Sequence, residues 1–165
     1  MAKTISVALA TYKGGQYLGE LLDSLAKQTL LPNELVVSDD NSPDNTIEVL
    51  EAFAESAPFK VNIIRNTDQL GIIDNFAKAF ENCKCELIAY CDQDDIWAPE
   101  KLETLAAHFA KPEVKLVMHR SEAVDGDLNP LGYHIPERHE IEIGEVQFPS
   151  SEEMTYGLGH QMLFD

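Results

Sequence analysis

The strongest chemical signal in the sequence is a group of three aspartates within four positions. Asp92, Asp94 and Asp95 follow a strand-like run, residues 86–91. Like charges packed so closely repel one another unless a cation lies among them, and carboxylate oxygens are the ligands that Mg²⁺ and Mn²⁺ prefer. If the segment stays extended, Asp92 and Asp94 point to the same side and can share one ion. The alternative is that Asp94 or Asp95 caps the following helix, but a cap requires one acid and three are present.

A second acidic pair and an aromatic residue follow two other strand-like runs. Asp39 and Asp40 come after one apolar run, and Tyr12 comes after the first apolar run of the chain. A carboxylate at such a position can accept hydrogen bonds from a nucleobase N–H or from ribose hydroxyls, and a tyrosine ring can stack on a base. Both features have structural alternatives, an Asx turn for the acids and ordinary packing for the tyrosine.

The overall charge narrows the class of partner. The chain has 165 residues, with 12 Lys and Arg against 29 Asp and Glu, which gives a net charge of −17. A field of this sign repels phosphate backbones and anionic lipids, so nucleic acid is not an expected partner. An anionic ligand would therefore need backbone N–H groups or a divalent cation at its binding site to offset this negative field.

Several common signatures are missing from the sequence. There is no GxxxxGK[ST] P-loop, and the turn after the first apolar run reads TYKGGQ rather than GxGxxG. This argues against a P-loop ATPase and against a dinucleotide-dependent oxidoreductase. Three cysteines without a CxxC pair favour neither a disulfide framework nor structural zinc, so a cytoplasmic location is expected. No run approaches the ~20 apolar residues of a membrane-spanning helix, and none resembles a signal peptide.

The elements that position these residues alternate between strand-like and helical patterns. This order is typical of an α/β fold with a Rossmann-like, mostly parallel sheet flanked by helices. Strands are predicted at residues 5–10, 35–38, 61–65, 86–91 and 115–119. Helices are predicted at residues 17–28, 47–53, 72–80 and 99–109, with Pro99 in the first turn of the last one. In such sheets ligands bind at the carboxyl ends of the strands, where three of the first four predicted strands carry polar or acidic residues.

The region after residue 120 has a weaker pattern. Turn-forming residues dominate its first part, and the rest alternates only briefly, which indicates hairpins or long loops rather than a second domain. The apolar run at residues 162–165 looks like a strand without its continuation.

Together these features resemble family 2 glycosyltransferases of the GT-A fold, especially bacterial cell-surface polysaccharide and rhamnosyltransferase-like members. The resemblance covers about residues 4–120, and the order and spacing of its segments are specific. The segments are residues 7–14 (VALATYKG), 28–29 (QT), 34–46 (ELVVSDDNSPDNT), 65–66 (RN), 70–71 (LG), 90–97 (YCDQDDIW) and 99–102 (PEKL).

The resemblance implies an inverting transferase acting on a nucleoside diphosphate sugar, UDP- or dTDP-linked. The sugar would move to a hydroxyl of a saccharide or lipid-linked saccharide acceptor, with Mn²⁺ or Mg²⁺ on the donor diphosphate. Carried over by position, the nucleotide-binding residues are Thr11, Tyr12, Asp39, Asp40 and Asp92.

The resemblance also assigns the metal ligands. Asp92 and Asp94 match the two acids of the family's DxD motif, with Asp94 as metal ligand and Asp92 toward ribose or metal. Asp95 and Asn75 are additional candidates for the site.

The catalytic base is expected outside this sequence. Family members carry a general base, usually an aspartate of the acceptor half, after a segment like residues 157–164, where this chain ends. We therefore expect the base beyond residue 165, a donor-binding portion at residues 1–120, and the start of the acceptor side at residues 121–165, within a single incomplete domain. The alternative to a purely cytoplasmic location is peripheral association of the protein with the inner face of the membrane. Two other functions stay open: a noncatalytic nucleotide-binding module, and a nucleotidyltransferase, which usually adds a glycine-rich basic loop after its first strand.

Overall fold

The central feature of the molecule is a six-stranded sheet flanked by helices. A computed structural model describes residues 3–135 and 162–164. None of the helices in these ranges is both long and apolar enough to span a membrane. The elements, in chain order, are β1 (Ile5–Thr11), α1 (Leu18–Ala26), β2 (Glu34–Asp39), α2 (Thr46–Ala54), β3 (Lys60–Arg65), α3 (Ile72–Glu81), β4 (Leu87–Asp92), α4 (Lys101–His108), β5 (Leu116–Met118), β6 (Ser121–Val124), β7 (Pro130–Ile135) and β8 (Met162–Phe164).

The sheet confirms the predicted α/β class. Its strands lie in the order β3-β2-β1-β4-β8-β5, and β3, β2, β1 and β4 are parallel. β8 lies between β4 and β5 and is antiparallel to both, so the strand predicted near the end of the chain is confirmed. β6 and β7 form a separate antiparallel pair, one of the expected hairpins. The rest of the predicted loop region, residues 136–161, lies outside the described residues.

The core lies around β1, β2 and α1. Both strands are buried along their whole length. β1 is mostly apolar, and the buried carboxylates at the two ends of β2 accept hydrogen bonds from β1. The leucine stripe of α1 packs against both strands, and Leu18, Leu21, Leu22 and Leu25 are at most 2% exposed. Burial of each such side chain stabilises the fold by about 1.5–3 kcal/mol. The loops at the carboxyl ends of β1 and β2 are therefore anchored in the most tightly packed part of the molecule.

Two predicted helix boundaries are wrong. α1 ends before residue 28, and Pro99 lies in the turn before α4 rather than in its first helical turn. The side chain of Gln28 is used outside the helix: its Nε2 donates to the C=O of Ala98 (2.8 Å), and its Oε1 accepts the N–H of Leu102 (3.1 Å). Through these hydrogen bonds, the residue that follows the end of α1 holds the segment between β4 and α4 in place.

Candidate functional site

The carboxyl ends of β1, β2 and β4 lie side by side at one edge of the sheet. The strand register pairs Thr11 with Asp39 across β1 and β2, and Ala10 with Asp92 across β1 and β4. Neighbouring strands are about 4.8 Å apart, so the loops that follow these strands share one small region. The predicted clustering of polar strand ends is confirmed.

The carboxylate of Asp39 is occupied by bonds within the protein. Asp39 is 1% exposed. Its Oδ2 accepts hydrogen bonds from Oγ1 of Thr11 (2.8 Å) and Oγ of Ser42 (2.6 Å), and its Oδ1 accepts the N–H of Ser42 (2.9 Å). These bonds give Asp39 the turn role considered above, since they hold the loop after β2 against the end of β1. Nucleotide contact by Thr11 or Asp39 stays a prediction.

Asp40 joins the strand ends to the start of α3. Its Oδ1 accepts the N–H of Leu70 (2.6 Å), and its Oδ2 accepts the N–H of Gly71 (3.0 Å). The N–H of Asp40 itself donates to the C=O of Thr11 (2.8 Å). Gly71 is the N-cap of α3 and has a φ of 84°, a conformation that favours glycine. The carboxylate of Asp40 therefore fixes this turn, and its contact with a base or ribose stays a prediction.

Two buried asparagines lie beneath the strand ends. Asn75 in α3 donates through Nδ2 to the C=O of Thr11 (3.2 Å), and its Oδ1 accepts Nδ2 of Asn66 (3.0 Å). Asn75 is 3% exposed, so the structure places this additional candidate under Thr11 rather than at the surface. Its visible role is to support the end of β1.

Hydrogen bonds fix the backbone of the loop after β1, and the ring of Tyr12 in this loop is exposed to solvent. The N–H groups of Lys13 and Gly14 donate to Oγ of Ser42 (3.0 Å) and Oγ1 of Thr46 (2.9 Å). The Tyr12 side chain is 38% exposed, with Nζ of Lys13 at 5.0 Å from the centre of its ring. A rigid backbone that presents an accessible ring is the arrangement needed for stacking on a planar ligand, which is the role predicted for Tyr12.

The three aspartates after β4 lie on a turn. The N–H of Asp95 faces the C=O of Asp92 at 3.4 Å, and residues 93–94 form the turn. The condition under which Asp92 and Asp94 would point to the same side, an extended segment, is therefore not met. Helix capping is also wrong, because the N-cap of α4 is Glu100. Asp94 is exposed and the other two are partly buried, so Asp94 is the most accessible of the three. We call these residues the acid turn, Asp92–Asp95.

A partly buried lysine lies beside the acid turn. Nζ of Lys101, the first residue of α4, lies 3.7 Å from the centre of the Trp97 ring, a cation–π contact. Burial lowers the pKa of Lys101 to about 8. Its neighbours Cys91, Asp95 and Asp92 act in the opposite direction. At neutral pH Lys101 is therefore mostly charged and offsets part of the repulsion among the aspartates.

The acid turn supplies hard oxygen donors without forming a complete metal site. Across residues 3–135 and 162–164, no group of three or more His, Cys, Asp and Glu side chains is placed to hold an ion. A divalent ion such as Mg²⁺ needs only one or two carboxylates when substrate phosphates and water complete its shell. By their chemistry Asp92 and Asp94 fit a site of that kind, and their role as ligands stays a prediction.

Comparison with known proteins identifies the family. The model of glycosyl transferase family 2 matches residues 6–164, nearly the whole chain. The chain belongs to glycosyl transferase family 2. It spans about one third to one half of the length of the curated relatives that it matches.

Individual proteins resemble the chain in sequence and in structure. The dTDP-rhamnosyl transferase RfbG of Shigella flexneri is 33% identical over 99 residues, which are 58% of this chain and 34% of that protein. The structure of S. aureus TarS in complex with UDP-GlcNAc has a TM-score of 0.68 at 28% identity, covering 74% of this chain and 36% of that one. The mannosyltransferase PcManGT from Pyrobaculum calidifontis, in complex with GDP-Man and Mn²⁺, has a TM-score of 0.66 at 25% identity, covering 76% and 36%. These neighbours confirm the predicted GT-A type fold.

Sequence reasoning missed three residues that shape the site. Gln93, between the aspartates, hydrogen bonds to the backbone of Tyr12. Asn66 supports Asn75, and Lys101 lies beside the acid turn. All three residues stand inside the segments that carry the family resemblance, so their position was a usable signal. The pairing of Gln93 with Tyr12 had no local signal, because the two residues are 81 positions apart.

Proposed function

We propose that this chain binds the nucleoside diphosphate sugar of an inverting glycosyltransferase that transfers a sugar to a hydroxyl of a saccharide or lipid-linked saccharide. The observation that carries the proposal is the meeting of the Tyr12 loop, the Asp39–Asp40 loop and the acid turn at one edge of the sheet. Such a region can contact a base, a ribose and a diphosphate in succession. The residues assigned to donor binding lie within residues 1–120, and residues 121–165 begin the acceptor side.

The charge distribution supports a cation-assisted donor site. A protein of net charge −17 repels a diphosphate, and the acid turn adds local negative charge. A divalent cation held by Asp92 and Asp94 would neutralise charge on the departing diphosphate. The complex of the relative from P. calidifontis with GDP-Man and Mn²⁺ supports this choice of ion class.

The chain's own residues would orient the donor. Tyr12 would stack on the base, and Asp39 or Asp40 would accept hydrogen bonds from the base or ribose. Because the carboxylates of Asp39 and Asp40 already accept bonds within the protein, either contact would use their remaining acceptor capacity. The rigid loops reduce the entropy that is lost when the nucleotide binds.

The similarity to RfbG and TarS supports UDP or dTDP as the nucleotide. A role in cell-surface polysaccharide synthesis is proposed from the family resemblance of the sequence segments. We place the reaction in the cytoplasm, since Cys83, Cys85 and Cys91 are free thiols and a reducing compartment keeps them so.

Calorimetric titration with UDP and with dTDP, each in Mn²⁺ and in chelator, tests the proposal. We expect Mn²⁺ to lower the dissociation constant of one nucleotide at least about tenfold. Asp94→Ala should abolish that Mn²⁺ effect, whereas Asp127→Ala, an exposed aspartate of the β6–β7 turn, should retain it. Absence of nucleotide binding in both conditions, or equal binding by Asp94→Ala and the parent, would contradict the proposal.

A further inference from the structure

The side chain of Gln93 is paired with the backbone of Tyr12 across the gap between two loops. The N–H of Tyr12 donates to Oε1 of Gln93 (2.9 Å), and Nε2 of Gln93 donates to the C=O of Tyr12 (3.1 Å). The carboxamide therefore satisfies both backbone groups of one residue, as a neighbouring strand would. The regular ladder between β1 and β4 ends at Ala10 and Asp92, so this pair continues it beyond the point where the strands diverge.

The pair is built into the loop after β1. A Cβ atom on Gly14 would collide with Oε1 of Gln93, so the glycine leaves the space that the carboxamide occupies. The opposite side of this loop is held separately, by the bonds from Lys13 and Gly14 to Ser42 and Thr46. Loss of the Gln93 pair would therefore free the loop from the acid turn without freeing it from the loop after β2.

Gln93 connects the two parts of the site that a nucleoside diphosphate would bridge. On one side is Tyr12, whose exposed ring is proposed to meet the base, and on the other are Asp92 and Asp94, proposed to meet the cation and diphosphate. A ligand that touches both parts gains affinity when their spacing is already correct. We propose that Gln93 is a positioning residue that couples nucleoside recognition at Tyr12 to cation and diphosphate recognition at the acid turn. This inference rests on the proposed function.

The test compares the Mn²⁺ effect on UDP and dTDP binding in the parent and in Gln93→Met. Methionine has a similar length and no charge, so this change removes the two hydrogen bonds without altering the electrostatics of the acid turn. The Mn²⁺-dependent gain in nucleotide affinity should fall about fivefold or more. Binding of uridine and thymidine in chelator, followed by NMR titration, should change less than about twofold, because the bonds to Ser42 and Thr46 still hold the loop.

A second variant breaks the pair without touching Gln93. Gly14→Ala places a methyl group where the carboxamide lies, so it should reduce the Mn²⁺ effect in the same way. Matched controls are Gln16→Met, at an exposed position of the same loop, and Gly19→Ala, where a Cβ meets nothing within 4 Å. Both controls should keep the parent's Mn²⁺ effect.

Each outcome decides between the inference and the proposed function. A parent with no Mn²⁺ effect would overturn the proposed function and this inference together. A normal parent combined with an unchanged Mn²⁺ effect in folded Gln93→Met or Gly14→Ala would overturn the inference alone. Equal weakening of nucleoside and nucleotide, with a lower melting temperature, would show a merely structural residue and would also overturn it.

Discussion

Replacement of Asp40 by alanine removes the acceptor for two backbone N–H groups at the start of α3. These belong to Leu70 and Gly71, at 2.6 and 3.0 Å from the carboxylate oxygens. Asp40 is 6% exposed, so water reaches its side chain poorly in the folded protein. From the sequence alone, Asp40 was expected to act first on nucleotide binding. The structure predicts a loss of stability first.

The magnitude follows from the bonds that are lost. An unsatisfied buried donor costs about 1–3 kcal/mol, and Leu70 and Gly71 lie near the surface, where water partly replaces the carboxylate. The two bonds together therefore predict a decrease of about 2–4 kcal/mol in the free energy of unfolding. Asp40→Asn keeps one acceptor oxygen and should lose about half as much, whereas Asp94→Ala, at an exposed position, should stay within about 0.5 kcal/mol of the parent.

Urea unfolding followed by tryptophan fluorescence measures these differences. The chain has one tryptophan, Trp97, which is 3% exposed and therefore reports loss of the packed core. The expected order of midpoints is parent and Asp94→Ala, then Asp40→Asn, then Asp40→Ala. If Asp40→Ala unfolds at the same urea concentration as Asp94→Ala, the carboxylate does not support the turn at residues 70–71, and our reasoning is refuted.

Two further predictions concern a buried hydrogen bond and a partly buried thiol. Thr11→Val keeps the side-chain shape but removes the hydrogen bond to Asp39. The free energy of unfolding should therefore fall by about 1.5–3 kcal/mol in the same urea assay. An unchanged urea midpoint would contradict this prediction. Burial raises the pKa of Cys83 from 9.0 to about 12, so folding favours the protonated thiol, and this stabilisation is complete below pH 9 and is lost as the pH rises toward 12. At pH 8 iodoacetamide should therefore alkylate Cys83 at least about tenfold more slowly in the folded protein than in urea, as measured by mass spectrometry. Comparable rates in the two states would show that the fold does not protect this thiol.

Local pattern predicted the order and type of the elements well. The apolar runs of β1 and β2 and the leucine stripe of α1 bury the residues that their periodicity indicates. The same pattern placed Thr11, Asp39 and Asp92 at strand ends, and parallel pairing then brings those ends together. These features depend on neighbours in sequence or on one simple rule of sheet architecture.

Contacts between distant loops could not be predicted in this way. The pairing of Asp40 with the N–H groups of Leu70 and Gly71 depends on how α3 enters beside β2, and the pairing of Gln93 with Tyr12 depends on the register of β1 and β4. Residue propensities contain no information about the position of α3 relative to β2 or about the register between β1 and β4. For the same reason the sequence could not decide between an extended segment and the turn on which the aspartates after β4 lie.

The most direct test of the central claim uses Mn²⁺ as a paramagnetic probe in ¹⁵N spectra of the chain with UDP or dTDP. If the acid turn and the Tyr12 loop form one donor site, amide signals of residues 92–95 and 12–14 should broaden first and together when Mn²⁺ and nucleotide are both present. Signals at the far ends of β1 and β4 should stay sharp. Two results would contradict the account: broadening of signals from exposed acidic residues elsewhere in the chain, or the same broadening with and without nucleotide.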